Sequence, residues 1–171
     1  VSDFGITMLE SILTDRNLEI IFKPHPLTGS RSQETRGALE KIGRMTKKYP
    51  NFKILDKEPE IYPQMNWCDL MIADISSVVN DFLATGKPII LTSTRGLSIK
   101  SLHADFPTTR GTYVIENPKI IFDLLMMISE QDPMREDRQQ VRKESLGHFR
   151  EGSLAQFENV VQSAIKRWPG S

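Results

Sequence analysis

Short apolar runs alternate with stretches of helical spacing along this chain, and that alternation leaves few folds open. Leu18 to Phe22, Phe52 to Leu55, Asp69 to Asp74, Pro88 to Leu91 and Thr112 to Ile115 read as buried strands. Between them, apolar residues recur at three- and four-residue intervals, as on a helix with one buried stripe. Phe4, Met8 and Ile12, with Ile6, Leu9 and Leu13, predict a helix over Phe4 to Thr14. Glu34 to Tyr49 predicts another, ended by Pro50, and Ile61 to Trp67 a short one. Ser76 to Thr85 reads as a helix with Gly86 placed to stop it. Helices are also expected at Pro118 to Ser129, Pro133 to Leu146 and Ser153 to Trp168; proline suits a first helical turn. Alternation of this kind implies parallel strands joined by right-handed crossovers. Strands with few polar residues imply a sheet covered on both faces. The expected fold is α/β: a parallel sheet, helices on both faces, and a helical C-terminal tail. Thr92 to Thr109 is expected to be a long loop, the kind of segment that carries function.

Composition narrows the function classes. The 171 residues suit one domain with a sizeable core. Lys plus Arg and Asp plus Glu both number 22, so the chain lacks the overall basic field of a nucleic-acid binder. Cys68 is the sole cysteine, which excludes an intramolecular disulfide and a cysteine-built zinc site and fits a cytoplasmic setting. The longest apolar run, near Ile120 to Ile128, is too short to span a bilayer and contains Asp123. The opening residues do not read as a signal peptide. No P-loop, dinucleotide-binding glycine pattern, nucleophile elbow or metal-ligand spacing is present. No metal or cofactor is expected.

Three segments carry chemistry. In Asp69 to Phe82 a strand ends at Asp74 and a helix begins near Ser76. Serines at a helix start accept from free backbone N–H groups, and those N–H groups with the helix dipole also suit a phosphate. Ligands of open α/β sheets bind beyond the carboxyl ends of the strands. Asp81 follows Ser77 by four residues on one helical face, where a carboxylate can accept from ribose hydroxyls. The same residues are also readable as an N-cap, a solvated acid and, at Asp74, a partner of the helix dipole. The second segment is Lys23-Pro24-His25-Pro26, at the end of the first strand. Its prolines stiffen the loop and present a cation for phosphate and an imidazole able to hold or transfer a proton. Strand ends of parallel neighbours converge, so His25 and Ser76–Ser77 are expected to face one ligand. The third is Phe106-Pro107-Thr108-Thr109-Arg110-Gly111-Thr112-Tyr113, where Arg110 is either a bidentate phosphate ligand or an ordinary surface arginine. Arg95-Gly96 and Lys100 are lesser candidates for the same ligand; His103 and His148 read as incidental, and Trp67 and Trp168 as packing residues.

Together these elements resemble the CDP-glycerol glycerophosphotransferases that build teichoic-acid-like polymers. Lys23-Pro24-His25-Pro26 is similar to that family's basic-x-His-Pro element. Asp69 to Phe82 followed by Gly86-Lys87-Pro88 resembles its Asp-x-Ser-Ser, Asp-Phe and Lys/Arg-Pro run. Arg110-Gly111-Thr112-Tyr113 resembles its Arg-Gly-x-Tyr, and Glu151-Gly152-Ser153 its Asp-Gly-x ahead of the last helix. Two departures stand out: Ala73-Asp74-Ile75-Ser76-Ser77 lacks the tyrosine of the family's Thr-Asp-Tyr-Ser-Ser, and Glu151 replaces an aspartate.

The resemblance implies a GT-B architecture of two Rossmann-like domains, with residues 1–171 forming the C-terminal, nucleotide-binding one. The acceptor domain, a further catalytic histidine and the first strand are expected to lie upstream, so this half is not expected to turn over alone. It implies transfer of glycerol phosphate from CDP-glycerol to a lipid-linked hydroxyl, with release of CMP. His25, Ser76 and Ser77 would hold the pyrophosphate, Lys23 and Arg110 would add positive charge, and Asp81 would meet the ribose. His25 is the catalytic candidate on this half. A lipid-linked acceptor places the whole protein in the cytoplasm at the inner membrane face, in peripheral contact with it. Two rivals compete: a UDP-type glycosyltransferase or epimerase domain of the same fold, and a non-catalytic, receiver-like module with Asp74 as phosphoacceptor. The Lys23-Pro24-His25 strand end counts against the latter, which needs an acidic pair there.

Overall fold

The computed structural model describes residues 3–25, 28, 33–55, 60–93, 98–147 and 153–168. Along them run α1 (Asp3–Ile12), β1 (Ile20–Phe22), α2 (Gln33–Lys48), β2 (Phe52–Ile54), α3 (Tyr62–Trp67), β3 (Met71–Ala73) and α4 (Val78–Leu83). There follow β4 (Ile89–Thr92), α5 (Ile99–Asp105), β5 (Tyr113–Ile115), α6 (Ile121–Glu130), α7 (Arg135–Leu146) and α8 (Ser153–Arg167). Two 3-10 turns, Pro107–Gly111 and Pro118–Ile120, precede β5 and α6.

Every strand pairing is parallel, as the crossovers require. β1 pairs with β2, Ile20 opposite Phe52, while β4 lies between β3 and β5, with Met71 opposite Ile89 and Ile90 opposite Tyr113. The expected single sheet is therefore two ladders. Among the described residues no ladder bond joins them, yet Ile20 of β1 packs into one cluster with Ile72 of β3 and Ile90 of β4.

β4 shows why helices cover both faces. Successive strand side chains point to opposite sides. Ile89 and Leu91 pack with Met65 of α3, Phe82 and Leu83 of α4, Leu102 of α5 and Val141 of α7. Ile90 packs the other way, with Ile12 of α1 and with Ile121 and Ile128 of α6. All three strand residues are fully buried, and each such side chain stabilises by about 2 kcal/mol relative to exposure. A third cluster joins Leu13, Ile42, Met45 and Phe52 between α1, α2 and β2.

The stretch expected to be a loop after β4 contains α5. Ser98 caps this helix by accepting from the Ser101 N–H at 3.1 Å, and Leu102 anchors it in the core. Ser98-x-x-Ser101 signals the start, but a single buried apolar residue gives too weak a stripe to mark the helix. α8 forms as expected; its apolar residues Leu154, Phe157, Val160, Val161 and Ile165 are all exposed. No helix among the described residues is long and apolar enough to cross a membrane.

Candidate functional site

A cavity of about 320 Å³ opens beyond the carboxyl ends of β3 and β4. One wall is the segment leading into α4, with Ile75, Ser76, Ser77, Val79 and Asn80; the other is Phe106, Thr108 and Thr109, between α5 and β5. Leu91 of β4 completes the lining. The cavity grades from apolar to polar. Leu91, Val79 and Thr109 are buried at its inner end, while Ser76, Ser77, Asn80 and Phe106 are exposed at its rim. The Thr109 hydroxyl donates to the Phe106 carbonyl at 2.7 Å, so the inner end offers little unsatisfied polarity. Among the described lining residues there is no Lys, Arg or His. A shallower depression of about 420 Å³ along Asn159 to Arg167 has all its lining on α8 and is the flank of one exposed helix.

Both serines line this cavity, and Ser77 does not cap the helix. Ser77 occupies the position before α4 with helical dihedrals (φ −59°, ψ −28°), and its side chain makes no capping hydrogen bond. A capping serine needs extended dihedrals to turn its oxygen onto the first turn. Ser77 is therefore free of a capping role, and both serines stand exposed at the rim.

The other expected site residues are not in the lining of this cavity. Asp74 is exposed, and its carboxylate accepts from the Ile75 N–H at 2.8 Å. Asp81 is exposed on α4, past the residues that line the wall. Arg110 donates to the Pro107 carbonyl at 3.1 Å and to the Glu144 carboxylate of α7 at 3.0 Å, half exposed. Lys23 and His25 follow β1, at the carboxyl end of the other ladder; Lys23 is half-buried and His25 exposed. The His25 carbonyl accepts from the Thr28 N–H at 2.7 Å, forming a turn. Lys100 is exposed on α5. Pro26, Arg95, Gly96, His148, Glu151 and Gly152 lie outside the described residues. Asn80, Phe106, Thr108 and Thr109 belong to the segments singled out by sequence, but their convergence depends on long-range packing.

Lys87, of the Gly-Lys-Pro element, is a cap. Its ammonium donates to the Asn66 and Cys68 carbonyls, each at 2.7 Å, at the end of α3.

Behind the cavity α7 packs against the Pro107–Gly111 turn. Arg138 of α7, 1% exposed, donates through its Nε to the Gly86 carbonyl at 2.9 Å and clasps the Asp132 carboxylate with its other nitrogens. The Tyr113 hydroxyl donates to Asp132 at 2.9 Å and accepts from the Met134 N–H at 3.1 Å. Burial alone would raise the Asp132 carboxyl, but hydrogen bonds from Arg138 and Tyr113, with the Arg138 charge, bring it below the ordinary range. Burial pushes the Tyr113 hydroxyl up.

Among the described residues no group of His, Cys, Asp and Glu is arranged to hold a metal ion. No curated protein matches the chain. The sequence profile of one family, CDP-glycerol:poly(glycerophosphate) glycerophosphotransferase, matches residues 5–164. Its span runs from α1 into α8 and takes in the serine-lined cavity, the His25 turn and the Arg110 segment. This chain belongs to the CDP-glycerol:poly(glycerophosphate) glycerophosphotransferase family.

Proposed function

We propose that this chain binds the donor nucleotide of a glycerophosphotransferase, and that the cavity between α4 and the Pro107–Gly111 turn receives it. The observation that carries the reading is the grading of the cavity, at the carboxyl edge of parallel strands where open α/β sheets bind ligands. A diphosphate buried against Leu91 and Val79 would lose its hydration, and among the described lining residues no cation replaces it. A planar base suits the apolar inner end formed by Leu91 and Val79, its outer edge meeting the Phe106 ring and the Asn80 amide at the rim, where the amide can donate and accept. The diphosphate then belongs at the rim, beside the Ser76 and Ser77 hydroxyls. In this reading Lys23, His25 and Arg110 supply charge from the neighbouring strand ends, and Asp81 meets the ribose; Asp74 orders the turn into α4.

The proposed reaction is attack of an acceptor hydroxyl on the phosphorus that carries glycerol. The new P–O bond forms as the bond to the bridging oxygen breaks, CMP leaves with the bonding pair, and the hydroxyl proton passes to a base. His25 stabilises the charge that builds on the phosphate of the departing CMP, and the base comes from a second domain that also holds a lipid-linked acceptor at the membrane face. Positioning and charge neutralisation carry most of the work in such transfers.

Calorimetric titration of CMP, CDP-glycerol, UDP and a UDP-sugar tests this, with Ser77→Ala, Asn80→Ala and His25→Ala alongside. Cytidine nucleotides are expected to bind best, each substitution weakening them several-fold. Tighter binding of the uridine ligands would favour the glycosyltransferase rival, and indifference of all ligands to Asn80→Ala and Ser77→Ala would remove the cavity from the reading.

A further inference from the structure

The two walls of the cavity are far apart in sequence, and among the described residues no hydrogen bond joins them directly. They touch where α4 meets the Pro107–Gly111 turn, and α7 backs both: it packs on the turn, and its Val141 shares a cluster with Val79 and Phe82 of α4. It meets the Pro107–Gly111 turn so closely that a Cβ built on Gly111 would stand 2.7 Å from the Arg138 Cα. From the same residue, the guanidinium reaches back to the carbonyl of Gly86, the glycine (φ 73°) that ends the turn between α4 and β4. We infer that Arg138 is a positioning residue whose buried guanidinium sets the gap between the α4 wall and the Thr108–Thr109 wall.

Three observations support this over a purely stabilising role. First, a buried ion pair is an inefficient source of stability: desolvation offsets most of its attraction, and apolar replacements of similar volume are often neutral or better. Second, the guanidinium is a rigid planar fork, and here it is held from two directions. Asp132 holds one side and the Gly86 carbonyl the other, so both the angle and the reach of the side chain are fixed. Third, the counter-ion is itself fixed. Asp132 sits at φ 41°, in the left-handed region unusual for a residue with a side chain, and Tyr113 of β5 anchors its carboxylate. The chain from β5 through Asp132 and Arg138 to Gly86 links the strand after one wall to the turn after the other.

The inference rests on the cavity being the donor site only for its functional consequence; the geometric part is testable alone. The variant Arg138→Met/Asp132→Asn removes both charges and leaves no orphaned ion. Two readouts are taken: CDP affinity, and hydrogen exchange of the Val79, Asn80, Thr109 and Thr112 amides, which are all bonded within the walls. Ile42→Val, in the cluster between α1, α2 and β2, controls for general loosening. The double variant is expected to stay folded, to exchange those four amides about tenfold faster and to bind CDP about tenfold more weakly, with the control unchanged in both. Unchanged wall exchange in the folded double variant overturns the inference. If that variant does not fold, Arg138→Lys keeps the charge without the fork, and unchanged wall exchange there overturns it equally. Faster wall exchange in a protein whose unaltered form binds no cytidine nucleotide would keep the positioning role and remove the donor reading.

Discussion

The ammonium group of Lys87 lies 2.7 Å from the carbonyl oxygen of Cys68, closing the C-terminal end of α3. Helix ends leave carbonyls without partners, and a cation there also meets the negative end of the helix dipole. A second carbonyl, of Asn66, is equally close. Lys87→Met keeps the stem and removes the donor. The expected cost is about 2 kcal/mol, measured by urea denaturation, because the carbonyls lose charged hydrogen bonds. Nucleotide affinity is expected to change less than twofold, since Lys87 does not line the cavity.

The Asp132 carboxyl titrates below its ordinary value because Arg138 and Tyr113 favour its charged form over the penalty of burial. A depressed folded value means the unfolded chain binds the proton first on acidification. The stabilisation is therefore complete above the unfolded value of about 4 and is lost as pH falls through the lower, folded one. Folding free energy is expected to drop across that acid window. In Asp132→Asn the part of the drop due to this residue disappears, at the cost of lower stability near neutrality. Parallel pH profiles of the two proteins in urea check it; superimposable slopes below pH 4 would exclude the linkage.

The alternation of strand and helix was legible because burial on both faces left a plain mark: Ile89-Ile90-Leu91 has no polar residue to spare. The serine turn was legible as the start of a helix at the carboxyl end of a parallel strand, and it lines a cavity there. What those serines do was not. Capping depends on backbone dihedrals, and Ser77 already has helical ones, so its hydroxyl stays at the rim. Asn80, Phe106 and Thr109 meet only through tertiary packing and carry no local signal of it. Arg138 was hidden most completely: α7 is so rich in charge that its pattern reads as a solvated face. Its burial follows from the close approach that Gly111 permits, a fact about another element.

Gly111 itself makes a sharp prediction. It has ordinary backbone dihedrals, so alanine there meets no backbone strain, only the main chain and Cβ of Arg138. Backbone cannot rotate away as a side chain can, so α7 must shift. Gly111→Ala is expected to cost about 3 kcal/mol, at the upper end of overpacking effects. Gly43→Ala in α2 has nothing within 4 Å of the added carbon and provides the contrast, with an expected gain of about 1 kcal/mol from helix propensity. Equal thermal midpoints for the two variants would contradict the close approach.

α8 buries none of its described side chains in this structure, although Leu154, Phe157, Val161 and Ile165 form an apolar stripe along it. An exposed apolar side chain contributes little to folding, because its surface stays in water in both states. Ending the chain after Gly147 is therefore expected to leave the thermal midpoint within about 2 °C, against a shift of about 2–4 °C per kcal/mol for a chain of this size. CDP affinity is expected to be unchanged, since among the described residues none beyond Thr109 lines the cavity. A midpoint lowered by more than about 5 °C would mean that α8 covers part of the core in solution. Differential scanning calorimetry on the two lengths decides between these outcomes, and it does so without any ligand.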